Sequence, residues 1–410
     1  MRQRVPRRGH QDGEVKEMVH KVVTGNYAAA YGAMRSRVKT VAAYPITPQT
    51  FIVEHLSEFV NNGELDCEYI EVESEHSAMS ACVSASASGV RTFTATSSQG
   101  LALMHEILPI ASGLRLPIVM AVVNRAIAAP INIWVEHNDI MPERDSGWLQ
   151  VFCDHNQEVQ DMVLQAFKIA EDKRVALPVS VGLDAFILSH TVEPVDLMCA
   201  EDADKFLPKY SPPSPILDTK DVKSVGVFVP PEYMMETRWQ QDRAVRDAPT
   251  VIEEVNKQFA RQFGRDYGGM IDAYMCDDAE VVLITLGTVS STAHEVVDAM
   301  RAEGKKVGLV KQRFWRPYPA KQLRAIAEKV KAVGVFDRAV SYGVAGPSFI
   351  EFRNAAYGLN VPTMDFIGGL GGNDVSLADI RFIYERLLEA AKTGKARRDV
   401  TWLNTRGVEQ

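Results

Sequence analysis

Cysteine is scarce in this chain, and the cysteines present are dispersed. The 410 residues contain five of them, Cys67, Cys82, Cys153, Cys199 and Cys276. No two form a CxxC pair, so the sequence shows neither the ligand set of an iron–sulfur cluster nor that of a zinc site. An odd number of scattered cysteines also argues against a disulfide scaffold and fits a reducing compartment. We therefore expect a cytoplasmic protein that ligates no metal through its own residues.

Excess positive charge and long apolar runs are also missing. The net charge is −8 at pH 7, which argues against a nucleic-acid partner or an anionic membrane surface. No window approaches the roughly 18 continuous apolar residues that a membrane-spanning helix requires. Four arginines make residues 1–20 a basic N-terminal tail, but no apolar segment follows them as it would in a secretory signal. We expect neither a nucleic-acid nor a membrane partner.

The sequence does contain enough apolar residues for more than one core. Hydrophobic residues make up 46% of the chain, and this length predicts two or three domains. Helical and strand patterns alternate over 21–205, which predicts a doubly wound α/β domain. Prolines then cluster, and 206–277 is predicted to be a linker with a helical segment at 249–263. The alternation resumes over 278–395, which predicts a second parallel-sheet domain, and 396–410 is expected to be a C-terminal tail.

A glycine-rich loop occupies 368–372 in the predicted second domain. It invites a phosphate-binding interpretation, but Asp374 stands where the last glycine of GxGxxG belongs, and no P-loop lysine follows. We expect a tight turn that leads into a helix capped by Ser376, with Asp379 three residues further on.

Three polar residues of the predicted first domain stand beside apolar strands or helices. Thr47 lies between two prolines, which keep its loop out of helix so that its hydroxyl can face a ligand. Glu75 opens a run of small residues that predicts a tightly packed helix, with Glu73 as a competitor for any chemical role. Arg125 follows a predicted strand, where ligands of parallel sheets gather. Glu75 and Arg125 also have ordinary explanations, since carboxylates complement helix dipoles and loop arginines are commonly solvated.

The strings around these residues resemble a known family. They are AAYPITPQT, EVESEHSAMSA, TFTATSSQGLALMHE, VMAVVNRAIAAPINIW and ERDSGW. They are similar to the alpha subunit of multi-subunit pyruvate:ferredoxin oxidoreductase (pyruvate synthase), within the thiamine-diphosphate-dependent 2-oxoacid:acceptor oxidoreductases. The resemblance implies a pyrimidine-binding (Pyr) domain at 21–205 and a transketolase C-terminal-like domain at 278–395.

The resemblance also implies roles for five residues. Glu75 matches the catalytic glutamate that shares a proton with the pyrimidine N1′ of the cofactor. Thr47 and Arg125 match the ligands of the substrate carboxylate, which suits the two-point geometry of a guanidinium. Gln99 and Gly100 are expected to line the same cofactor pocket, although an ordinary strand-to-helix turn would show the same letters.

A Gly-Asp-Gly motif, through which thiamine enzymes hold the diphosphate by way of a divalent metal, does not occur in the sequence. By resemblance, a beta subunit supplies that half of the thiamine diphosphate site, with Mg²⁺ and a [4Fe–4S] cluster, and a gamma subunit and a ferredoxin-like delta subunit complete the enzyme. The implied reaction is reversible: a 2-oxoacid, coenzyme A and oxidised ferredoxin give an acyl-CoA, carbon dioxide and reduced ferredoxin.

Pyruvate is the expected substrate, and other assignments stay open. Residues 135–138 read Val-Glu-His-Asn where many relatives have Asn-Asp-His-Ser, so an aryl glyoxylate such as phenylglyoxylate or a branched-chain 2-oxoacid is an alternative. His137 is expected to be a structural hydrogen-bonding residue. A further alternative is the beta component of an NAD-linked 2-oxoacid dehydrogenase complex, which would lack the YPITP string. A non-catalytic subunit is a third, against which the three site residues argue.

Overall fold

The computed structural model describes residues 19–213, 216–396 and 400–407. The predicted basic tail at 1–20 lies outside these residues except for its last two. Within the described part, the strands are β1 (Val19–Thr24), β2 (Thr40–Ala43), β3 (Glu68–Glu71), β4 (Thr92–Thr96), β5 (Val119–Asn124), β6 (Leu149–Phe152), β7 (Val179–Asp184), β8 (Val192–Leu197), β9 (Ile271–Tyr274), β10 (Val281–Thr285), β11 (Val307–Gln312), β12 (Phe314–Arg316), β13 (Ala332–Asp337), β14 (Thr363–Ile367) and β15 (Val400–Trp402).

The helices of the described residues alternate with these strands. They are α1 (Gly25–Arg35), α2 (Thr50–Asn61), α3 (Glu75–Ala87), α4 (Ser98–Met104), α5 (Leu108–Gly113), α6 (Asn156–Ala170), α7 (Ala200–Phe206), α8 (Pro231–Phe263), α9 (Val289–Ala302), α10 (Ala320–Ala327), α11 (Pro347–Ala355) and α12 (Leu377–Thr393). Among them, no helix combines the length and the apolar character that a membrane crossing requires.

The first sheet has seven strands in the order β12-β6-β7-β5-β4-β2-β3. Both of its faces are covered, by α1, α2, α6 and α8 on one side and by α3, α4 and α5 on the other. Strand β5 illustrates why such strands appear as continuous apolar runs: Val119, Ala121 and Val123 enter one core, and Met120 and Val122 enter the opposite one. Alternate side chains of a strand point to opposite faces, so a sheet buried on both faces needs apolar residues throughout.

The second sheet has six strands in the order β15-β14-β13-β10-β11-β9. Helices α9 and α12 cover one face, and α10 and α11 cover the other. A separate pair, β1 and β8, is antiparallel. The α/β fold class with two doubly wound sheets is therefore confirmed, with one correction to each main sheet: the edge strands β12 and β9 run antiparallel to their neighbours.

Three strands differ from the prediction. One joins the other sheet, and two lie where no strand was predicted. Strand β12 comes from within 278–395 but pairs with β6 of the first sheet, β9 lies in the predicted linker, and β15 lies in the predicted tail. Each has only three or four residues, which is too short for a period-two pattern to show. The domain boundaries themselves stay a prediction.

Helix α8 is much longer than the helical segment predicted at 249–263. It spans 33 residues, begins with Pro231 in its first turn and ends at Phe263, after which Gly264 caps it with a φ of 71°. Its buried residues begin only at Ala244, so the first turns carry no apolar stripe from which a helix could be predicted. The predicted segment begins at Pro249, but the helix continues through this proline.

The glycine-rich loop forms a turn where the two sheets' loops meet. Ser376 caps α12 in a capping box with Asp379, as predicted. The N–H of Gly372 donates to the carbonyl oxygen of Val135 at 3.1 Å, and a Cβ on Gly372 would overlap the Cβ of Trp134. Glycine is therefore required here because the two backbone segments pack closely. This packing explains the glycine without a bound phosphate.

Two carboxyl groups are buried together in the second sheet, at the end of β13 and in β14. The oxygens of Asp337 accept the backbone N–H groups of Ser348 and Phe349 at 2.9 and 3.0 Å, and Asp365 accepts that of Gly346 at 2.6 Å. Burial raises the pKa of Asp337 to about 6. Burial and the neighbouring Asp337 raise the pKa of Asp365 to about 8.

Candidate active site

The predicted site residues follow four neighbouring strands of the first sheet. Thr47 follows β2, Glu75 follows β3, Gln99 and Gly100 follow β4, and Arg125 follows β5. Strand β3 lies on one side of β2 and β4 lies on the other, so the direction of winding reverses there. The carboxyl ends of strands at such a reversal form the crevice in which open α/β sheets bind ligands.

The guanidinium of Arg125 joins two of the other predicted residues. Its Nη1 donates to the backbone oxygen of Thr47 at 2.6 Å, and its Nη2 donates to Oε1 of Gln99 at 3.0 Å. Arg125 is buried, whereas Thr47 is exposed. The structure thus brings these three residues together, although Thr47 contacts the arginine through its carbonyl group and not through its hydroxyl.

Most donors of Arg125 remain uncommitted. A guanidinium has five N–H donors, and the described residues accept two of them, which leaves three. One of the three, on Nε, is buried without a partner in the described part of the chain. Burial lowers the pKa of Arg125, and the carboxylate of Asp139 opposes part of this change. The guanidinium still remains a cation, because the usual pKa of arginine is so high. A buried cation with unused donors suits an anionic ligand.

Glu75 provides the second ligand-facing group. It is buried at the start of α3, where Ser74 caps the helix by accepting the N–H of Ser77. None of the described residues donates a hydrogen bond to its carboxylate. Gly100 lies against it so closely that a Cβ there would be 2.5 Å from Oε1 of Glu75 and also from Oγ1 of Thr96. A larger residue than glycine at position 100 would therefore displace the carboxylate.

The competing Glu73 has a different environment. It is exposed, and its Oε1 accepts the hydroxyl of Ser77 at 2.6 Å. This hydrogen bond lowers the pKa of Glu73. Glu73 therefore serves the start of the helix, and burial favours Glu75 as the carboxylate that faces a ligand.

Asp139 is a residue of the site that the sequence interpretation missed. Its buried carboxylate accepts the side-chain amide of Asn124 at 2.9 Å, the backbone N–H of Arg125 at 2.9 Å and that of Ser98 at 3.1 Å. Burial raises its pKa to about 6, and these hydrogen bonds oppose the rise. Its partners lie 14, 15 and 41 positions away in the sequence, so no local pattern could have predicted it.

His137 makes the structural hydrogen bond expected of it. Its Nε2 lies 2.7 Å from Oδ1 of Asp184, at the end of β7. The other oxygen of Asp184 accepts Nη1 of Arg338 at 2.8 Å and the backbone N–H of Thr288 at 3.0 Å. Burial would raise the pKa of Asp184, but His137 and Arg338 hold it below its usual value. This buried network joins the loops of the two main sheets.

One cluster of the described residues has a composition that could suit a metal: Asp154, His155 and Glu158. The negative charge of this cluster is neutralised by basic side chains of β11 and of the residue that follows it. Lys311 lies 2.7 Å from Asp154 and 2.6 Å from Glu158, and Arg313 lies 2.8 Å from Glu158. Because two buried cations occupy the carboxylates, we assign no metal to this cluster.

Residues 31–257 match the family described as pyruvate flavodoxin/ferredoxin oxidoreductase, thiamine diphosphate-binding, and 279–380 match pyruvate:ferredoxin oxidoreductase core domain II. The chain is 47% identical to pyruvate synthase subunit PorA of Methanothermobacter thermautotrophicus, over 94% of this chain and 98% of that protein. The chain belongs to the pyruvate:ferredoxin oxidoreductase family. Ketoisovalerate oxidoreductase subunit VorA of Pyrococcus horikoshii is also 47% identical, over the same shares of both chains.

A solved structure supports the fold. The 2-oxoglutarate:ferredoxin oxidoreductase of Magnetococcus marinus superposes with a TM-score of 0.72 over 91% of this chain, at 19% identity. This chain spans 65% of the length of that one. At such identity the likeness shows the fold alone.

Membership in the pyruvate:ferredoxin oxidoreductase family confirms the resemblance found in the sequence. It also confirms the oxidoreductase class and favours it over a component of an NAD-linked dehydrogenase complex. The family's cofactor is thiamine diphosphate, and the residues present fit its pyrimidine part. Glu75 offers a buried carboxylate without a donor, Gly100 leaves space beside it, and the hydroxyl of Thr96 is buried without a partner in the described residues.

Proposed function

We propose that this chain is the alpha subunit of a multi-subunit, coenzyme-A-acylating 2-oxoacid:ferredoxin oxidoreductase. One observation carries the proposal: a buried cation with unused donors and a buried carboxylate without donors share one crevice. Gln99, which contacts Arg125, directly precedes Gly100, which contacts Glu75. Because Gln99 and Gly100 are consecutive, the guanidinium of Arg125 and the carboxylate of Glu75 are neighbours in the crevice.

Arg125 and Thr47 bind the carboxylate of the 2-oxoacid in this proposal. The guanidinium keeps three N–H donors for it, since its other two bond to Thr47 and Gln99. Charge-assisted bonds of this kind are stronger than neutral ones and, when paired, fix the orientation of the carboxylate. The hydroxyl of Thr47 has no partner among the described residues and can add a donor.

Glu75 acts on the cofactor in this proposal. Thiamine diphosphate, when bound, supplies the electron sink for decarboxylation. The carboxyl group of Glu75 shares a proton with the pyrimidine N1′, and its buried position keeps water from competing for that proton. Gly100 allows the close approach, and Gln99 orients Arg125.

The remaining parts of the enzyme are assigned to other chains. No Gly-Asp-Gly motif occurs in this sequence, so we propose that a beta subunit carries the diphosphate half, Mg²⁺ and a [4Fe–4S] cluster. A gamma subunit and a ferredoxin-like delta subunit complete the proposed enzyme. The relatives PorA and VorA are named as subunits, which supports an assembly of several chains. Five cysteines without disulfide bonds support a cytoplasmic location.

Pyruvate is the proposed substrate, and a branched-chain 2-oxoacid is the second candidate. Relatives named for pyruvate and for ketoisovalerate are equally identical to this chain, so overall similarity does not separate them. The test is a panel of pyruvate, 2-oxoisovalerate, phenylglyoxylate and 2-oxoglutarate with the purified complex, measuring CoA-dependent reduction of ferredoxin. The highest kcat/KM for pyruvate is expected. No CoA-dependent reduction with any of the four would overturn the proposed function.

A further inference from the structure

Asp139 lies behind the proposed carboxylate site and is buried. Its Oδ2 accepts two backbone N–H groups, that of Arg125 at 2.9 Å and that of Ser98 at 3.1 Å. Its Oδ1 accepts the side-chain amide of Asn124 at 2.9 Å. A single carboxylate thus joins the backbone after β4 to the backbone after β5.

These bonds hold both members of the Arg125–Gln99 contact. Arg125 is bonded to Asp139 through its own backbone, and Gln99 directly follows Ser98, which is bonded to the same oxygen. Ser98 has a φ of 49°, a left-handed conformation that is unfavourable for a residue other than glycine. Without the acceptor at Asp139, its N–H would be an unpaired donor at the start of α4. The carboxylate therefore stabilises the turn that presents Gln99.

The segment that carries Asp139 is attached to the loops of the second sheet. Asn138 makes two bonds with Val340, donating through Nδ2 to its oxygen and accepting its N–H, both at 3.0 Å. The N–H of His137 donates to the oxygen of Arg338 at 2.9 Å. The position of Asp139 thus depends on contact between the two main sheets' loops.

We propose that Asp139 is a positioning residue for the substrate carboxylate, and that Asn138 links this role to the second sheet's loops. This inference rests on the proposed function. Asp139 holds Arg125 and Gln99 at the spacing that a two-point contact with the carboxylate requires. The second half of the chain then takes part in substrate binding.

The kinetic signature of such a role differs from that of a general structural one. The substrate carboxylate loses its charge as carbon dioxide leaves, so its contact with Arg125 is stronger before the transition state than in it. Losing the alignment should therefore raise KM more than it lowers kcat. An aldehyde has no carboxylate to hold, so its oxidation by the same complex should be insensitive to Asp139.

Asparagine should restore most of the positioning. In Asp139→Asn the amide oxygen can still accept the N–H groups of Arg125 and Ser98. The new amide N–H₂ would face Nδ2 of Asn124, but Oδ1 of Asn124 is buried without a partner in the described residues. A flip of that side chain lets Asn124 accept where it formerly donated. Alanine offers no acceptor to any of the three groups.

The experiment measures KM and kcat of the assembled complex with pyruvate and with acetaldehyde. Asp139→Ala should raise the KM for pyruvate by about tenfold or more, the effect of losing a charge-assisted contact, with the aldehyde reaction within about twofold of wild type. Asp139→Asn should stay within about threefold on both. The exposed Asp145→Ala is the matched control and should behave as wild type.

Asn138→Ala provides a variant that keeps the carboxylate and removes its link to Val340. It should raise the KM for pyruvate and leave the aldehyde reaction unchanged, and this can be measured even if Asp139→Ala fails to assemble. Where both variants assemble, the rise should be smaller than that of Asp139→Ala. An unchanged KM in both alanine variants would overturn the proposal, as would equal losses on pyruvate and aldehyde. A wild-type complex inactive on every 2-oxoacid would instead refute the proposed function.

Discussion

Two substitutions of Arg125 test the positive charge and the planar geometry of its guanidinium separately. Arg125→Lys keeps the positive charge but cannot bond to Thr47, to Gln99 and to a ligand from one plane, as the guanidinium does. Arg125→Met removes the charge as well and keeps an unbranched apolar stem of similar bulk. Because the site is buried, the lysine variant should also pay for desolvating a compact ammonium group.

The size of the effect follows from the donors that are free. Three N–H groups remain for a carboxylate after the two internal bonds, and a hydrogen bond to a charged group contributes roughly 1.5–3 kcal/mol. Loss of one such bond corresponds to about a ten- to two-hundredfold fall in kcat/KM. We expect Arg125→Lys to lie between wild type and Arg125→Met.

The assay compares pyruvate with acetaldehyde in the purified complex, following CoA-dependent reduction of ferredoxin. With pyruvate the methionine variant should show the full loss, chiefly as a higher KM. With the aldehyde its gap from wild type should narrow to a few fold, because that substrate brings no carboxylate to Arg125. Equal losses on both substrates would show that Arg125 supports the cofactor or the fold and would refute its assignment to the substrate.

Three further predictions address other parts of the chain. Glu75→Gln should cut kcat at least about a hundredfold because an amide cannot share the proton, whereas Glu73→Gln should stay near wild type; the reverse order would refute the assignment. Gly100→Ala should reduce thiamine diphosphate binding in titrations because its Cβ would be 2.5 Å from the Glu75 carboxylate, and Gly113→Ala, with nothing within 4 Å, is the control. The contribution of Asp365 to the stability of the wild-type chain should fall as pH rises from 3.8 through about 8, since the folded chain keeps a proton on Asp365 that the unfolded chain releases. Asp365→Asn should flatten that slope in urea unfolding of the full chain, and an unchanged slope would contradict the buried-carboxyl account.

Much of the fold could be predicted because its two main sheets are buried on both faces. Strands such as β5 and β10 are short, continuous apolar runs, and the alternation of such strands with helices along the chain predicts a parallel α/β architecture. The short strand β12 could not be predicted, because its pairing with β6 depends on how the two halves of the chain pack.

The residues of the candidate site also differ in whether the sequence could predict them. Thr47, Glu75 and Arg125 stand beside strands and inside distinctive strings, so the sequence pointed to them and the structure gathers them in one crevice. Asp139 carries no such signal, because its importance comes from three hydrogen bonds to distant parts of the chain. Candidate ligand-binding residues can be predicted from local patterns, whereas a candidate positioning residue such as Asp139 can be found only from the tertiary structure.

In the proposed enzyme, this chain contributes the half of a shared site that binds the pyrimidine ring and the substrate carboxylate. Calorimetric titration of thiamine diphosphate with Mg²⁺ into the isolated chain and into the assembled complex tests it most directly. Because the metal-held diphosphate is assigned to another subunit, the isolated chain should bind roughly a hundredfold more weakly or not measurably, and Mg²⁺ should make no difference to it. Metal-dependent binding by the isolated chain as tight as that of the complex would contradict the account.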